Sequence, residues 1–276
     1  EGWGVRGVGD PAGVTSPISA NADPSPPAPL PRGERGDRGV VRVACYPRFD
    51  QTNAYMGLLY RALEPHGVRV TAEVTLNDSF LTARRDDFDV LHFHWAQESL
   101  WRCRGDGVKG KLVGLVGGWR FLRLAKKLGK RIVWSVHDLE RLDGHGLADW
   151  LGTAALGRFA DLVICHAHST RDRLVSHYRV PPGRVVVMPH GNYAGVFPPP
   201  APRPVTLAAL GLSPDVPVLL SAGLIRSYKG LDLALDAAAR LGDRVQLVIA
   251  GPPTDPDLTA SLADRAKGLP NVRFLA

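Results

Sequence analysis

Cysteine is scarce in this 276-residue chain: Cys45, Cys103 and Cys165 lie far apart and form no C-x-x-C pair. That excludes a disulfide framework and a zinc ribbon, and it suits a reducing compartment. Long apolar runs are missing too. No stretch approaches the ~18 residues a membrane-crossing helix needs. The N-terminal residues show no charged segment followed by an apolar one, so no secretory signal is read there. A G-x-x-x-x-G-K-[ST] phosphate loop is absent. The expectation is a cytoplasmic protein.

What is present is ordinary for a soluble globular chain: 45% hydrophobic and 22% charged residues, with a net charge of +7. The excess of cations favours anionic partners such as nucleotides or acidic lipid surfaces. A nucleic-acid partner is not expected, because interleaved aromatic and basic motifs are lacking. Residues 1–39 hold 8 Gly and 7 Pro and few large apolar residues. Such a segment cannot bury enough surface to offset its ordering entropy, so a disordered tail is expected. Its "GWGVRG" matches G-x-G-x-x-G at Gly2, Gly4 and Gly7, but no strand precedes it and Pro11 and Pro17 follow. The match is chance.

From Val40 the texture changes. Strand patterns ("VVRVAC", "VRVTAEV", "DVLHFHW", "RIVWSV", "ADLVIC", "RVVVMP") alternate with helical ones ("NAYMGLLYRALEPHG", "GLVGGWRFLRLAKKLG", "LADWLGTAALGRF", "STRDRLVSHY"). Such alternation predicts a parallel sheet covered on both faces, wound right-handed. "GVFPPPAPRPV", residues 195–205, has five prolines and reads as a stiff linker. A second series follows: "VPVLLSAG", "LDLALDAAARLG", "VQLVIAG", "DLTASLADRAKG" and "VRFLA". The fold class expected is α/β with two Rossmann-like doubly wound domains, the second incomplete. The division is 1–39 tail, 40–194 first domain, 195–205 linker and 206–276 partial second domain.

Ligands of open parallel sheets bind beyond the carboxyl ends of the strands. Six of the nine histidines lie at or just after predicted strand ends: His92, His94, His137, His166, His168 and His190. Trp95, Asp138 and Asn192 accompany them. A polar crevice that hydrogen-bonds sugar hydroxyls uses these residue types. A metal site is the alternative, and with it a metal-dependent hydrolase. His92 and His94 are two apart on a strand and share a face, and His137 would supply a third ligand.

In "AGLIRSYKGLD" a buried strand stops at Gly223, Arg226 and Lys229 follow three apart, and Gly230 opens a helix. A helix start attracts phosphate, Arg grips two oxygens, and Lys adds a point charge. The pair suits a diphosphate; the bland alternative is a solvated turn. The stretch 119–131 sets Arg120, Arg123, Lys126, Lys127 and Lys130 among Trp119, Phe121, Leu122, Leu124 and Leu128. It reads either as a basic amphipathic face for anionic lipid or as a crossover helix with a solvated outer side.

Together these stretches resemble a family-4 glycosyltransferase of the GT-B fold. "GLIRSYKGLDLALDA" is similar to the family's donor-phosphate turn, "IVWSVHDLE" to its fourth-strand motif, and "RFADLVICHAHSTRDRLV" with "VVVMPHGNY" to the stretches leading to the hinge. The resemblance runs from about Val40 to Ala276. It implies transfer of a sugar from a nucleotide-sugar to a hydroxyl of a glycan or lipid-linked acceptor, with retention. No cofactor and no metal is implied, the nucleotide-sugar being substrate. By resemblance Gly223, Arg226, Lys229, His137, Asp138 and His190 hold the donor, and His137, Arg226 and Lys229 serve catalysis. His92, His94 and Trp95 line the acceptor side, with peripheral contact at the inner membrane face through 119–131. Two departures stand out. The family's Gly-rich loop after strand one is "YPRFDQTNAY" here, which points to acceptor contacts through Asp50, Asn53 and Tyr55. The family's Glu-x7-Glu motif would lie past Ala276, so a C-terminally truncated chain is expected, and an inactive binding module is the competing reading.

Overall fold

The computed structural model describes residues 39–47, 54–96, 100, 108–139 and 147–275. The tail with its glycine motif, and Asp50, Asn53, Cys103 and Glu140, lie outside the described residues. The chain divides into two compact units. One comprises the residues up to His137 with Gly152–Met188; the other comprises Asp138–Leu151 with Pro189–Ala276.

The first unit is a six-stranded sheet. In chain order the elements are β1 (Val41–Tyr46), α1 (Ala54–Leu63), β2 (Val68–Glu73), α2 (Asp78–Ala83), β3 (Val90–Phe93), α3 (Val108–Lys127), β4 (Arg131–Val136), α4 (Leu147–Phe159, of which the part from Gly152 belongs to this unit), β5 (Leu162–Cys165), α5 (His168–Ser176) and β6 (Val185–Val187). The strand order is β2-β1-β3-β4-β5-β6, with every pair parallel. The order reverses at β1 and β3, so the crevice for a ligand opens beyond their carboxyl ends. Short apolar strands follow from the burial: Leu91, Phe93, Ile132, Trp134 and Val163 are fully buried. Each such side chain contributes about 1.5–3 kcal/mol.

Local rules set the joints. After α1 a short 3-10 turn ends at Gly67 in the left-handed region (φ 76°). A Cβ there would meet the Gly39 carbonyl oxygen at 2.6 Å, so only glycine fits. The short helix α2 was not anticipated. Its mark is the cap: Asn77 Oδ1 accepts from the Phe80 N–H at 2.8 Å. Asp161, before β5, binds α3 to the start of β4. It accepts from Lys126 Nζ at 2.7 Å, the Ile132 N–H at 2.8 Å and Arg131 Nη1 at 3.3 Å. Burial alone would raise its carboxyl, but these three donors hold it below the usual carboxylate range.

The second unit contains α6 (Arg203–Ala209), β7 (Val218–Ala222), α7 (Leu231–Leu241), β8 (Gln246–Ala250), α8 (Pro256–Lys267) and β9 (Val272–Leu275). The three strands are parallel in the order β7-β8-β9. Arg203, Pro204 and Val205, counted in the expected linker, instead open α6. A proline in a first helical turn loses no hydrogen bond, since that N–H has no partner anyway. Ile225, Leu231, Leu235, Leu247, Ile249 and Leu262 form the core. The expected fold class, α/β with two parallel Rossmann-like sheets and a small second one, is what the chain adopts.

Candidate functional site

Two groups of residues stand beyond strand carboxyl ends, one in each unit. In the first unit, β3 delivers His92 and His94, β4 delivers Ser135 and His137, β5 delivers His166, and α1 delivers Tyr55 and Tyr60. His92 and Ser135 sit near the ends of paired strands, where Phe93 lies opposite Trp134. The rings meet closely. Tyr55 stands edge-on to His137 at 4.9 Å and to His94 at 5.7 Å between centroids. Trp95 stacks on His137 at 4.2 Å and 15°. His166 lies 5.2 Å from His137, and its Nδ1–H donates to the Met188 carbonyl at 2.8 Å.

Beneath these rings runs a chain of hydrogen bonds. Ser135 Oγ lies 2.9 Å from His92 Nε2, and His92 Nδ1 lies 2.9 Å from the Tyr60 hydroxyl. The same hydroxyl lies 3.2 Å from His94 Nε2, and His94 Nδ1 lies 3.2 Å from His137 Nε2. Ser135, Tyr60, His92 and His94 are all buried. Burial, then the neighbouring His137, pushes the His92 imidazole down to about 3. Burial, then His92, His137 and His166, lowers His94 as well, and burial raises the Tyr60 phenol. All three are neutral near pH 7.

This geometry corrects two expectations. His92 and His94 do not line an acceptor surface: both are buried, and every ring nitrogen already has a hydrogen-bond partner. For the same reason the alternative of a metal on His92, His94 and His137 fails. A ligand atom needs an uncommitted lone pair, and neither His92 nor His94 has one without breaking the chain. The two rings do share one face, as their spacing requires, with centroids 4.2 Å apart. Of the expected acceptor residues, Tyr55 and Trp95 remain partly exposed, together with His137. Tyr60 and Ser135 were missed. A tyrosine in the apolar stripe of a helix and a serine inside "IVWSV" look like core residues, and only the strand spacing shows what their hydroxyls reach.

In the second unit the turn after β7 carries the cations. Gly223 adopts φ 111°, a conformation glycine alone takes easily. Arg226 leads a 3-10 turn, Ser227–Lys229, and Gly230 (φ 62°) passes the chain into α7. Lys229 folds back so that its Nζ donates to the Ala222 carbonyl at 3.4 Å. A Cβ on Gly223 would stand 2.9 Å from that ammonium. Below, Gly251 (φ 155°) packs so tightly that its Cβ would lie 2.0 Å from the Gly223 oxygen. The result is a floor of bare backbone at the carboxyl ends of β7 and β8, with the Lys229 ammonium against it and the exposed Arg226 three residues before that lysine. Among the described residues neither Arg226 nor Lys229 has a carboxylate partner. Asp138 and His190 are exposed, and His190 Nδ1–H donates to the Gly191 carbonyl at 2.9 Å.

Residues 113–192, from α3 through the segment after β6, match the model for Glycosyltransferase Family 4. Over that stretch the chain is similar to glycosyltransferase family 4. Its relatives include a D-inositol 3-phosphate glycosyltransferase of Actinosynnema mirum, 31% identical over 68% of this chain and 45% of that protein. Another, of Kineococcus radiotolerans, is 30% identical over 50% of this chain and 36% of the relative. The chain thus spans less than half the length of these curated relatives. Among solved structures, Anabaena Alr3699/HepE in complex with UDP and glucose superposes with a TM-score of 0.55 at 15% identity. That alignment covers 86% of this chain and 69% of HepE.

Proposed function

We propose that this protein transfers a sugar from a nucleotide-sugar to a hydroxyl of a glycan or lipid-linked acceptor, with retention at the anomeric carbon. The observation that carries the reading is a pair of cations, Arg226 and Lys229, in the turn at a strand's carboxyl end, with no carboxylate partner among the described residues and with Lys229 against the bare Gly223 backbone. The similarity to family 4 and the UDP found in HepE support the donor class. As the sugar departs, charge builds on the leaving diphosphate. Preorganised cations stabilise that charge and lower the barrier. Retention follows from the same picture: the diphosphate oxygen takes the acceptor's proton on the face it leaves, so no protein base is required. Asp138 and His190 join the donor side, and Tyr55, Trp95 and His137 face the acceptor and the sugar. Isothermal titration with UDP tests the binding step. Arg226→Ala is expected to weaken it about 10-fold, the effect of losing one charge-assisted hydrogen bond. Unchanged affinity would remove the turn from the site. The competing inactive binding module, which keeps the acceptor lobe, would bind UDP poorly or not at all.

The acceptor side points to a membrane surface. On α3, Leu112 (60% exposed), Val113, Val116 and Trp119 form one apolar stripe. Their spacing of one, three and three residues keeps them on a single face. Of the cations expected there, Arg120 is paired with Asp78 at 2.9 Å and Lys126 with Asp161. Lys130 donates to the Arg85 and Phe88 carbonyls. Arg123, 5.0 Å over the Trp119 ring, and the exposed Lys127 remain for lipid phosphates. No helix among the described residues is long and apolar enough to cross a bilayer. The proposed contact, at the inner face of the membrane, is therefore peripheral, driven by apolar insertion more than by charge.

A further inference from the structure

The hydrogen-bond chain in the first unit has a direction, and the direction can be read from its closed end. Ser135 has one hydrogen, and the sole side-chain partner of its buried hydroxyl among the described residues is His92 Nε2. If Ser135 accepted from His92, its own hydrogen would be buried without an acceptor, which is the costlier arrangement. Ser135 therefore donates, and His92 Nε2 carries no hydrogen. A neutral imidazole has one N–H, so in His92 it sits on Nδ1 and points to the Tyr60 oxygen at 2.9 Å. The phenol has a single hydrogen as well. Having accepted from His92, it directs that hydrogen to the far side, where His94 Nε2 lies at 3.2 Å. His94 then holds its hydrogen on Nδ1 and gives it to His137 Nε2 at 3.2 Å.

We propose that Ser135, His92, Tyr60 and His94 are positioning residues that hold His137 neutral in its Nδ1–H tautomer, with Nε2 committed as an acceptor. An imidazolium at His137 would turn an Nε2–H against the His94 Nδ1–H, so taking up a proton there means reversing every link back to Ser135. The inner members resist protonation themselves: burial keeps His92 and His94 neutral well below pH 6. In the transferase reading, on which this last step rests, His137 meets the sugar as a hydrogen-bond donor and is not a general base. Its ring is clamped for that purpose between the Trp95 face and the Tyr55 edge. The last link, from His94 Nδ1 to His137 Nε2, joins residues 43 apart in sequence.

Long-range proton–nitrogen NMR of the full chain, labelled with 15N-histidine and free of donor and acceptor, reads each ring's tautomer directly. At neutral pH the expected result is protonated Nδ1 and bare Nε2 on His92, His94 and His137 alike. A proton on His137 Nε2, or an imidazolium signature there, overturns the proposal. Tyr60→Phe cuts the chain at its centre, and His137 is then expected to show both tautomers or the reversed one; an unchanged His137 spectrum in the folded variant also overturns it. Should Tyr60→Phe fail to fold, Ser135→Ala, a smaller change, replaces it with the same two outcomes. Because these spectra need no substrate, their result stands apart from any assay of sugar transfer.

Discussion

The two units solve opposite problems at the same place, the carboxyl end of a parallel sheet. In the first, Tyr60, His92, His94 and Ser135 are drawn inward and bonded to one another, while Tyr55, Trp95, His137 and His166 stay partly exposed. In the second, Arg226 and Lys229 have no carboxylate partner among the described residues, and Lys229 lies against backbone stripped of side chains. Rings buried without charge make a surface of defined shape and hydrogen-bond polarity, suited to recognising hydroxyls. Cations beside glycine make a surface of defined field, which in the proposed reading meets a phosphate whose charge grows during reaction. Orientation belongs to the first unit and electrostatics to the second.

The sharpest way to break this comparison is Gly251→Ala. Its Cβ would meet the Gly223 carbonyl oxygen at 2.0 Å, and backbone cannot yield as a side chain can. A loss of about 3 kcal/mol or more is expected from steric and φ strain together. Denaturant unfolding followed in the second unit measures it, and the histidine spectrum of the first unit should not change. If both units fail together, they are not energetically separate.

Lys229→Ala tests the electrostatic half. Turnover in a sugar-transfer assay is expected to fall on the order of 100-fold, the usual cost of removing one charge-stabilising donor. Near-normal turnover would hand the phosphate to other residues. The neutral half is tested with acid. Unfolded histidine takes up its proton below about pH 6.5, whereas folded His92 refuses it until about 3 and His94 is lowered too. Between those limits the unfolded state binds more protons, so stability drops as pH falls, by about 1.4 kcal/mol per pH unit for each ring. Equilibrium unfolding from pH 7 to 4 should show that slope, and Tyr60→Phe should not abolish it, since burial is its main cause. A flat profile would mean that water reaches the rings. The smallest effect concerns α3. Trp119→Ala is expected to weaken binding to anionic vesicles by about 1 kcal/mol, roughly fivefold, in a flotation assay. Equal binding by both proteins would return α3 to the role of a solvated crossover.

Much of this was legible in the residues, for reasons particular to each. Continuous apolar runs such as "RIVWSV" and "VQLVIAG" read as strands because parallel strands are buried on both faces. Glycines at 223 and 230 marked a turn because a side chain would strain it. The common face of His92 and His94 followed from the two-residue period of a strand. Their depth did not, because burial depends on α1 crossing above them, and α1 meets β3 only through the fold. Tyr60 bonds to histidines 32 and 34 positions away, a distance over which no local pattern carries information. The same holds for α3: its period showed two faces, but Asp78 and Asp161, which take up Arg120 and Lys126, come from elsewhere in the chain.

The carboxylate of Asp161 has a mechanical consequence. By fastening the last turn of α3 to the first residues of β4, it prevents the helix from swinging free of the sheet that ends in His137. α3 is then a handle and not a float. In the proposed transferase reading, a surface that grips its leucine and tryptophan rim would set the height at which the rings stand, and so the height to which an acceptor hydroxyl is delivered.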